Sequence, residues 1–466
     1  MLTFTLQKTR SESLYVQLSR LIRDAILSGK VRPGEKLPSK RAFAKNLGIS
    51  VITVENAYAK LLDEGFIISQ PKSGYFAGDL ISITALKNTK APVHRHEESA
   101  GNDLVADLTS SANEVSCFPF SVWSSIMRRE LRADRKALLQ NSPAGGALAL
   151  RQAIASHLMD FHGIEVEPSQ IVVGPGTEYL CALIVRLLGR QLVYAVEDPG
   201  YPQTLRVYKD QGVKVARARL DENGVSAIAL DKVRADVAHV SPSHNFPSGT
   251  VMPPSRRYEL LGWAAAKEGR YIIEDDYDSE FRLSGKPLST LKSVDALGRV
   301  IYMNTFTKTL ASTVRISYMV LPPEISDRFA LMSAGSSCAV STFEQYTLAR
   351  FISQGSFETH LNRMRRLCLK KRDVFMDLIK KSPLGKAAEV SGQNAGLHFL
   401  LKLKTGDDDE ALRQRALSYG IKIAPLSWYC GEKDPAQKHV FAISYSSVRI
   451  EDLSDVVGLL CKALLD

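Results

Sequence analysis

The stretch SKRAFAKNLGISVITVENAYAKLLDEG, residues 39–65, combines two short helical patterns with a tight turn between them. Ser39 and Ser50 each stand directly before a run with helical periodicity, where a hydroxyl caps a helix. Gly48 and Gly65 stand where those helices must end, since glycine readily adopts the left-handed conformation that follows a helix. Two helices joined by the short LGIS turn predict a helix-turn-helix.

The flanking sequence extends this pattern in both directions. Upstream, residues 13–27 place apolar side chains at a helical period, and a break containing Gly and Pro follows them. Downstream, FIISQPKSGYFA alternates apolar residues around a turn with Pro71 and Gly74, which predicts a short hairpin, or wing. Together these elements predict a winged helix-turn-helix domain over residues 1–77.

Positive charge is concentrated in this first domain. The 466-residue chain has a formal net charge of +10. Residues 1–77 hold twelve Lys and Arg against six Asp and Glu, a net +6 in about a sixth of the chain. A basic surface on a small terminal domain favours a polyanion partner. Lys40, Arg41 and Lys45 precede the second helix of the motif and Lys72 lies on the wing, where cations can meet phosphates.

Residues 34–77, with LPS, LGIS, TV, AY and SGYF in order, resemble the winged helix-turn-helix of the GntR superfamily. The resemblance implies binding to a double-stranded DNA operator. The position after Ser50 is often arginine in the superfamily and is Val51 here, so a contact commonly made there is missing or replaced. The residues expected to line the DNA are Ser39, Arg41, Ser50, Thr53, Tyr58 and Gly74, beside the basic Lys40 and Lys72.

The composition changes after the first domain. Residues 78–104 show no sustained period and are mostly polar, which predicts a flexible linker. No apolar run approaches the roughly 20 residues of a membrane span, and the N-terminus lacks a signal-peptide pattern. The six cysteines are scattered without metal-ligand spacing, so we expect no metal site, no disulfide framework and a cytoplasmic location.

From about residue 105, short apolar runs alternate with amphipathic stretches. QIVVG, LVYAVED, VAHVSPSH, RYIIEDDYD, RVIYMNTF and SYMVLP have the composition of strands, and helical patterns such as TEYLCALIVRLLG separate them. This alternation predicts an α/β domain with a mostly parallel sheet, whose ligand lies at the carboxyl ends of the strands. No GxGxxG or Walker motif occurs to support a nucleotide-binding fold.

Polar groups follow several of these strands. Gly176 and Thr177 stand where a helix begins, and the free backbone N–H groups of a helix start suit a phosphate. In NTFTKTLASTVRISY, residues 304–318, Lys308 can form a Schiff base and Arg315 offers a planar fork to phosphate oxygens. With a carboxylate for a pyridine nitrogen and a tyrosine for a phenolate oxygen, these groups indicate pyridoxal 5′-phosphate.

Residues 105–466 resemble fold-type I aminotransferases through the ordered set GPGTEYL, EDPGYP, SPSHNFPSG, IIEDDYDSEF, NTFTKTL and RISYMVLP. The resemblance implies a large α/β/α domain and a small C-terminal α+β subdomain over about 355–466. It implies the Schiff base at Lys308, the pyridine-nitrogen partner at Asp275 and the phenolic-oxygen partner at Tyr277. It further implies stacking by Tyr201 and phosphate contacts by Gly176, Thr177, Thr305, Thr307 and Arg315.

Two of these assignments have alternatives. Asp276 can take the role of Asp275, although Asp275 stands two residues before the tyrosine, as in the family pattern. In SPSHNFPSG, either Asn245 or His244 is expected to reach the ring oxygen, and Asn245 is taken as the cofactor contact.

A GntR-type head fused to an aminotransferase-like body is the architecture of MocR-type regulators, and this resemblance covers nearly the whole chain. It implies a head-to-tail homodimer that senses an effector through an aldimine at Lys308. The effector is an amine, an amino acid or a B6 vitamer, including pyridoxal phosphate itself. The alternative is an active aminotransferase that carries a DNA-binding head.

Two departures from the aminotransferase pattern bear on this choice. The arginine that grips a substrate carboxylate near the C-terminus is replaced by Ala442 in VFAISYSSVRIED, and Arg449 lies seven residues further on. The segment LLQNSPAGGALALR lacks the tyrosine expected to cross from a partner subunit. Both departures favour a sensor over an enzyme, and the first predicts an effector that lacks an α-carboxylate or binds it elsewhere.

Overall fold

The computed structural model describes Phe4, Leu6 and residues 12–78, 104–110, 114–133, 135–281, 289–393, 396–431 and 437–465. The chain divides into two compact units, Met1–Ala100 and Gly101–Asp466, here called the head and the body. Apart from its two end residues, the predicted linker 78–104 lies outside the described residues.

The head has the predicted winged helix-turn-helix fold. Its elements are α1 Leu14–Leu27, α2 Lys40–Leu47, α3 Val51–Asp63, and the antiparallel strands β1 Ile67–Gln70 and β2 Gly74–Ala77. Both predicted caps are confirmed, because the Ser39 and Ser50 hydroxyls accept hydrogen bonds from the N–H groups of Ala42 (3.3 Å) and Thr53 (3.1 Å). Gly48 adopts φ 65° and ends α2 at the start of the turn.

Tyr58 belongs to the core of the head. That core contains apolar side chains from α1, α2 and α3, among them Leu18, Phe43 and Leu61. Tyr58 is fully buried with them, and its hydroxyl donates to the carbonyl oxygen of Pro38 at 2.8 Å. The predicted DNA contact of Tyr58 is therefore wrong, because the helical period places this ring on the inward face of α3.

Replacing Tyr58 by Phe should lower the free energy of unfolding of the head by about 1 kcal/mol, the net value of one buried hydrogen bond. DNA affinity under native conditions should stay within twofold of the wild type, since the hydroxyl faces the protein interior. Denaturant unfolding and DNA titration of the full chain measure both quantities. Tyr15→Phe, at a side chain 37% exposed, is the control. A large loss of DNA affinity in a folded Tyr58→Phe protein would contradict the interior role.

The described strands of the body form one large and one small sheet, plus a two-stranded pair. Their bounds are β3 Ala106–Asp107, β4 Ile171–Gly174, β5 Val193–Asp198, β6 Lys214–Asp221, β7 Gly224–Val225, β8 Val237–Val240, β9 Tyr271–Asp275, β10 Val300–Thr305, β11 Ser317–Val320, β12 Ala388–Ser391, β13 His398–Leu403, β14 Ile421–Lys422, β15 Ala424–Pro425 and β16 Val440–Ser444.

The large sheet has the order β4-β11-β10-β9-β8-β5-β6-β7. The central pairs β10–β9, β9–β8, β8–β5 and β5–β6 are parallel, whereas β11 and β7 pair antiparallel with their neighbours. The prediction of a mostly parallel sheet is therefore confirmed. Parallel pairing brings the carboxyl ends of β5, β8, β9 and β10 to one edge, where such sheets bind ligands.

Helices cover both faces of this sheet. The helices of the body are α4 Phe120–Ala133, α5 Arg135–Leu139, α6 Leu148–His162, α7 Thr177–Leu188, α8 Pro202–Asp210, α9 Ala227–Lys232, α10 Pro254–Ala265, α11 Phe306–Thr309, α12 Pro323–Met332, α13 Thr342–Ser353, α14 Ser356–Lys381, α15 Leu384–Ala387, α16 Asp409–Ser418 and α17 Leu453–Leu465. Successive strand residues such as Ile301 and Tyr302 enter different apolar clusters, as expected for a sheet buried on both sides.

The small subdomain surrounds the antiparallel sheet β12-β13-β16-β15. Its core includes Phe375, Phe399 and Ile443 from the C-terminal part of the chain. Ala106 and Leu108 enter the same core, because β3 pairs in parallel with β14. The sequence did not predict this return of the first body strand, since a two-residue strand carries no periodic signal.

Candidate functional site

A cavity of about 290 Å³ lies at the carboxyl edge of the large sheet. Side chains from β5, β8, β9 and β10 reach it, together with α7, α8 and the small subdomain. Eight of the ten residues predicted to hold the cofactor line it: Thr177, Tyr201, Asp275, Tyr277, Thr305, Thr307, Lys308 and Arg315. The chain therefore assembles one site from segments more than a hundred residues apart.

One end of the cavity is built for an anion. Thr305 caps α11, and its hydroxyl donates to the Thr307 hydroxyl at 2.9 Å. Gly176, at φ 116°, lets the backbone approach Arg315 so closely that an added Cβ would lie 2.4 Å from the guanidinium Nη2. Hydroxyls, a guanidinium and the start of the twelve-residue helix α7 that opens with Thr177 can together bind a phosphate.

Lys308 lines the cavity from the single turn of α11, which follows β10. Burial lowers the pKa of its amine, and the carboxylates of Asp278 and Asp275 oppose that shift. A lowered pKa increases the fraction of neutral amine, which is the nucleophilic form.

The structure distinguishes between Asp275 and Asp276, the two candidates for the partner of the pyridine nitrogen. Asp275 lines the cavity, and its Oδ1 is buried without a hydrogen-bond partner within the described residues. Asp276 points into the protein, where its carboxylate accepts from the hydroxyls of Tyr302 at 2.8 Å and Ser279 at 2.7 Å. Of these two aspartates, Asp275 is therefore the one that lines the cavity and can meet a ligand there.

His239 on β8 is a site residue that the sequence reasoning missed. Its Nε2 lies 3.4 Å from the Asp275 carboxylate, and its Nδ1 lies 2.8 Å from the Tyr208 hydroxyl. Burial acts to lower the pKa of His239, but the Asp275 carboxylate and the Cys181 thiol together outweigh it, and the pKa rises to about 10. A buried cation thus stands beside the Asp275 carboxylate. The polar residue inside the apolar run VAHV was the signal for it.

Neither Asn245 nor His244 lines the cavity, contrary to the expected direct contact with the cofactor. The Asn245 amide donates to Glu197 at 2.7 Å and accepts from Ser248 at 2.6 Å, so it is already engaged. His244 Nδ1 lies 2.9 Å from Asp278. Each side chain instead positions an acidic residue that does line the cavity.

Tyr277 and Tyr201 lie on the cavity wall as predicted for the cofactor ring. Burial raises the pKa of Tyr277 well above its usual range, so its hydroxyl is a proton donor, 3.4 Å from His244 Nδ1. Tyr201 is 58% exposed and meets Phe246 edge to face, with ring centroids 6.0 Å apart. Its ring therefore remains accessible to a flat ligand.

Glu280 is a buried acidic residue that follows the cavity residues Tyr277 and Asp278 in the chain. Glu280 accepts from the Asn304 amide at 3.1 Å, while its Oε2 is buried without a partner within the described residues. Burial, reinforced by Asp276, raises the pKa of Glu280 to about 8. The folded body therefore holds a proton there at neutral pH.

The free energy of unfolding should fall as pH rises from about 4.5 to 8, because the unfolded chain releases the Glu280 proton earlier than the folded one. One such group contributes a slope of at most about 1.4 kcal/mol per pH unit. Glu280→Gln should flatten the slope in this window, measured by denaturant unfolding at several pH values. Glu389→Gln, at an exposed carboxylate paired with Lys404, is the control. Equal slopes for wild type and Glu280→Gln would contradict the raised pKa.

Ala442 and Arg449 lie where the aminotransferase pattern would place a carboxylate-binding arginine and seven residues beyond it. Ala442 on β16 is buried in an apolar cluster with Leu400, Leu426 and Val440. Arg449 is bound to Asp452 through two hydrogen bonds of 2.7 and 2.9 Å at an exposed site. Neither residue offers a cation to a ligand in the cavity.

The remaining predicted DNA residues lie on the head as follows. Arg41 and Lys72 are exposed, and Lys72 occupies the tip of the wing at φ 60°. Lys40 pairs with Glu55 at 2.7 Å. Gly74 begins β2 opposite Gln70. Ser39, Ser50 and Thr53 lie at the starts of α2 and α3, where the two serine hydroxyls serve as caps.

The residues present fit pyridoxal 5′-phosphate. The unpartnered Asp275 oxygen matches a protonated pyridine nitrogen, and the close approach of Gly176 to Arg315 matches a phosphate. Lys308 supplies the amine, and Tyr277 supplies a hydroxyl.

Two protein families match the chain. Residues 14–76 match the bacterial regulatory proteins of the gntR family, and residues 105–430 match the aminotransferases of class I and II. "Probable rhizopine catabolism regulatory protein MocR" of Rhizobium meliloti is 30% identical over 97% of this chain and 94% of its own length. The chain belongs to the MocR-type transcriptional regulators.

Two further HTH-type transcriptional regulators match most of the chain. "Uncharacterized HTH-type transcriptional regulator YdeL" of Bacillus subtilis is 35% identical over 91% of each chain. The "HTH-type pyridoxine biosynthesis transcriptional regulator PdxR" of Corynebacterium glutamicum is 29% identical over 90% of this chain and 89% of its own. The head of this MocR-type regulator is accordingly a DNA-binding domain, and the cofactor of its aminotransferase-like body is pyridoxal phosphate.

Solved aminotransferases share the fold of the body. The kynurenine aminotransferase of Pyrococcus horikoshii superposes with a TM-score of 0.69 at 23% identity, over 78% of this chain and 91% of that one. LysN, the alpha-aminoadipate aminotransferase of Thermus thermophilus, gives 0.69 at 21% identity, over 78% and 92%. None of the helices in the described part of this chain has the length and apolar character to cross a bilayer.

Proposed function

We propose that this MocR-type regulator is a cytoplasmic sensor in which ligand binding at Lys308 alters DNA binding by the heads. The observation that carries the proposal is the convergence of eight predicted residues on one cavity, in a chain that also carries a winged head. The effector is an amine, an amino acid or a B6 vitamer. A ligand changes DNA affinity only through its different affinity for the two conformations of the protein.

Different residues of the cavity would bind different parts of the cofactor. Thr177, Thr305, Thr307 and Arg315 would hold the phosphate beside Gly176, and Asp275 would pair with the ring nitrogen. Tyr201 would cover the ring face. When bound, the aldehyde of the cofactor supplies reversible condensation with primary amines.

Side chains of the protein would set the protonation of the cofactor ring and of the Lys308 amine. His239 would hold the Asp275 carboxylate in place, and Asp275 would in turn keep the ring nitrogen protonated. Tyr277 would donate to the phenolic oxygen, its position supported by His244 and Asp278. The lowered pKa of Lys308 would let this amine leave and return as a neutral group.

The apolar surroundings of Ala442 support an effector that does not require an α-carboxylate at that position. Simple amines and B6 vitamers fit this condition, and an amino acid would need its carboxylate held by another part of the protein. The alternative function is a transaminase that carries a DNA-binding head. It would use the same Lys308 and Asp275, so a measurement of turnover is needed to distinguish it from a sensor.

We also propose that the protein acts as a homodimer, since fold-type I sites are usually built between two subunits and two heads suit two half-sites. Light scattering of the full chain should give twice the chain mass of 51.4 kDa. A monomer at micromolar concentration would overturn this part of the proposal.

The test of the sensor uses cofactor-loaded full-length protein, DNA selected from a random library, and a panel of amines, amino acids and B6 vitamers. A sensor should give a stoichiometric absorbance change together with altered DNA affinity or footprint. Repeated turnover with a keto acid, with DNA binding unchanged, would instead identify an aminotransferase.

A further inference from the structure

The outer face of α3 begins with apolar side chains. Val51 and Ile52 are 42% and 68% exposed, although the opposite face of α3 is packed into the head through Val54 and Leu61. Asn56 is also exposed and lies one turn beyond Ile52, so the two side chains share a face.

Neighbouring polar groups on α3 are engaged within the protein. The Ser50 and Thr53 hydroxyls lie 2.8 Å apart within the helix cap. The Glu55 carboxylate accepts from Lys40 Nζ at 2.7 Å, which neutralises the acid nearest to this face. On the first two turns of α3, Val51, Ile52 and Asn56 are therefore the exposed uncharged side chains, and the exposed Glu55 beside them is paired with Lys40.

These three side chains have specific complements on a base-pair edge. The second helix of a helix-turn-helix enters the major groove with its N-terminal residues against the bases. There the C5-methyl of thymine is the apolar group, and the N6/N7 edge of adenine pairs with an Asn amide through two hydrogen bonds. The exposed cations Arg41, Lys45 and Lys72 suit phosphates, whose contacts carry no sequence information.

We propose that α3 reads A·T pairs in each half-site, with Val51 and Ile52 packed on thymine methyl groups and Asn56 bound to adenine. This assignment concerns the head and stands independently of the ligand at Lys308. None of these three residues was among the predicted DNA contacts. Val51 was singled out only because the superfamily often has arginine at that position.

The test begins with selection of duplexes from a random library by the full-length protein, followed by replacement of single thymines with deoxyuridine, which removes only the methyl group. At the contacted thymines, wild-type affinity should fall about fourfold per methyl. Ile52→Ala should bind both duplexes equally at its own thymine. Asn56→Ala should lose about tenfold in discrimination against replacement of the contacted A·T pair.

Ile68→Ala is the matched control, because Ile68 is 49% exposed on β1 of the wing rather than on α3. It should keep the wild-type ratio between thymine and deoxyuridine duplexes. Binding of each variant to mixed-sequence DNA at low salt reports that the heads remain folded. The proposal is overturned if wild-type protein binds deoxyuridine and thymine duplexes equally at every position, or if selected sites lack A·T pairs whose preference depends on Asn56.

Discussion

Lys308→Arg is expected to abolish covalent retention of pyridoxal phosphate by the protein. Arginine keeps the positive charge but remains protonated at any accessible pH, so it cannot condense with an aldehyde. After reduction with borohydride, a peptide map should show about one pyridoxyl group per wild-type chain, on the peptide that contains Lys308. The variant should show none. The response of DNA binding to effector should disappear with it.

Lys292→Arg provides the same substitution at another lysine of the body, whose side chain is 9% exposed. The Lys292 amine donates to the carbonyl oxygen of Val300 at 3.1 Å and does not line the cavity. This control should retain the wild-type yield of pyridoxyl peptide. A Lys308→Arg protein that still carries the reduced group elsewhere in the cavity, or that still responds to the effector, would refute the role of Lys308.

Asp275→Asn should weaken binding of pyridoxal phosphate by about 100-fold, equivalent to about 3 kcal/mol. The amide has nearly the same shape but no charge, so a protonated ring nitrogen would lose its anion and His239 would lose its partner. Removing one member of a buried charge pair is costly because the other charge remains desolvated. Absorbance titration of cofactor-free protein with the vitamer measures the change.

Asp236→Asn is a suitable control for this substitution. Asp236 also accepts backbone and lysine hydrogen bonds in the body, from Val193 N–H at 3.1 Å and Lys267 at 3.0 Å, but lies outside the cavity lining. Its cofactor affinity should equal that of the wild type. An Asp275→Asn variant that binds the vitamer within threefold of wild type would show that Asp275 does not pair with the ring nitrogen.

Local sequence patterns predicted much of the fold because they act over short distances. A hydroxyl at position 50 can cap a helix that starts at position 51 wherever that helix later packs. The alternation of apolar and amphipathic runs likewise predicted the mostly parallel sheet and its binding edge. The same patterns could not predict that β3 joins β14, since 315 residues separate Ala106 from Ile421 and neither strand exceeds two residues.

Prediction of the cavity-lining residues was right where a motif carries its own chemistry. Lys308 and Asp275 follow strands in recognisable stretches, and both line the cavity. It failed where a side chain's direction matters: Tyr58 faces the core of the head, and Asn245 faces Glu197 instead of the cavity. His239 was missed because one buried histidine in an apolar strand gives no indication of which carboxylate stands across the sheet.

The amino-acid sequence alone determined the order of the two domains, the caps and turns of the head, and the set of chemical groups available for a B6 cofactor. These properties depend on residue type and on neighbours within a few positions. The tertiary structure alone decided which aspartate faces the cavity, which histidine supports it, and which side chains of α3 remain exposed. Those outcomes depend on contacts between distant segments, where burial and hydrogen-bond partners are set by the packing of the whole domain.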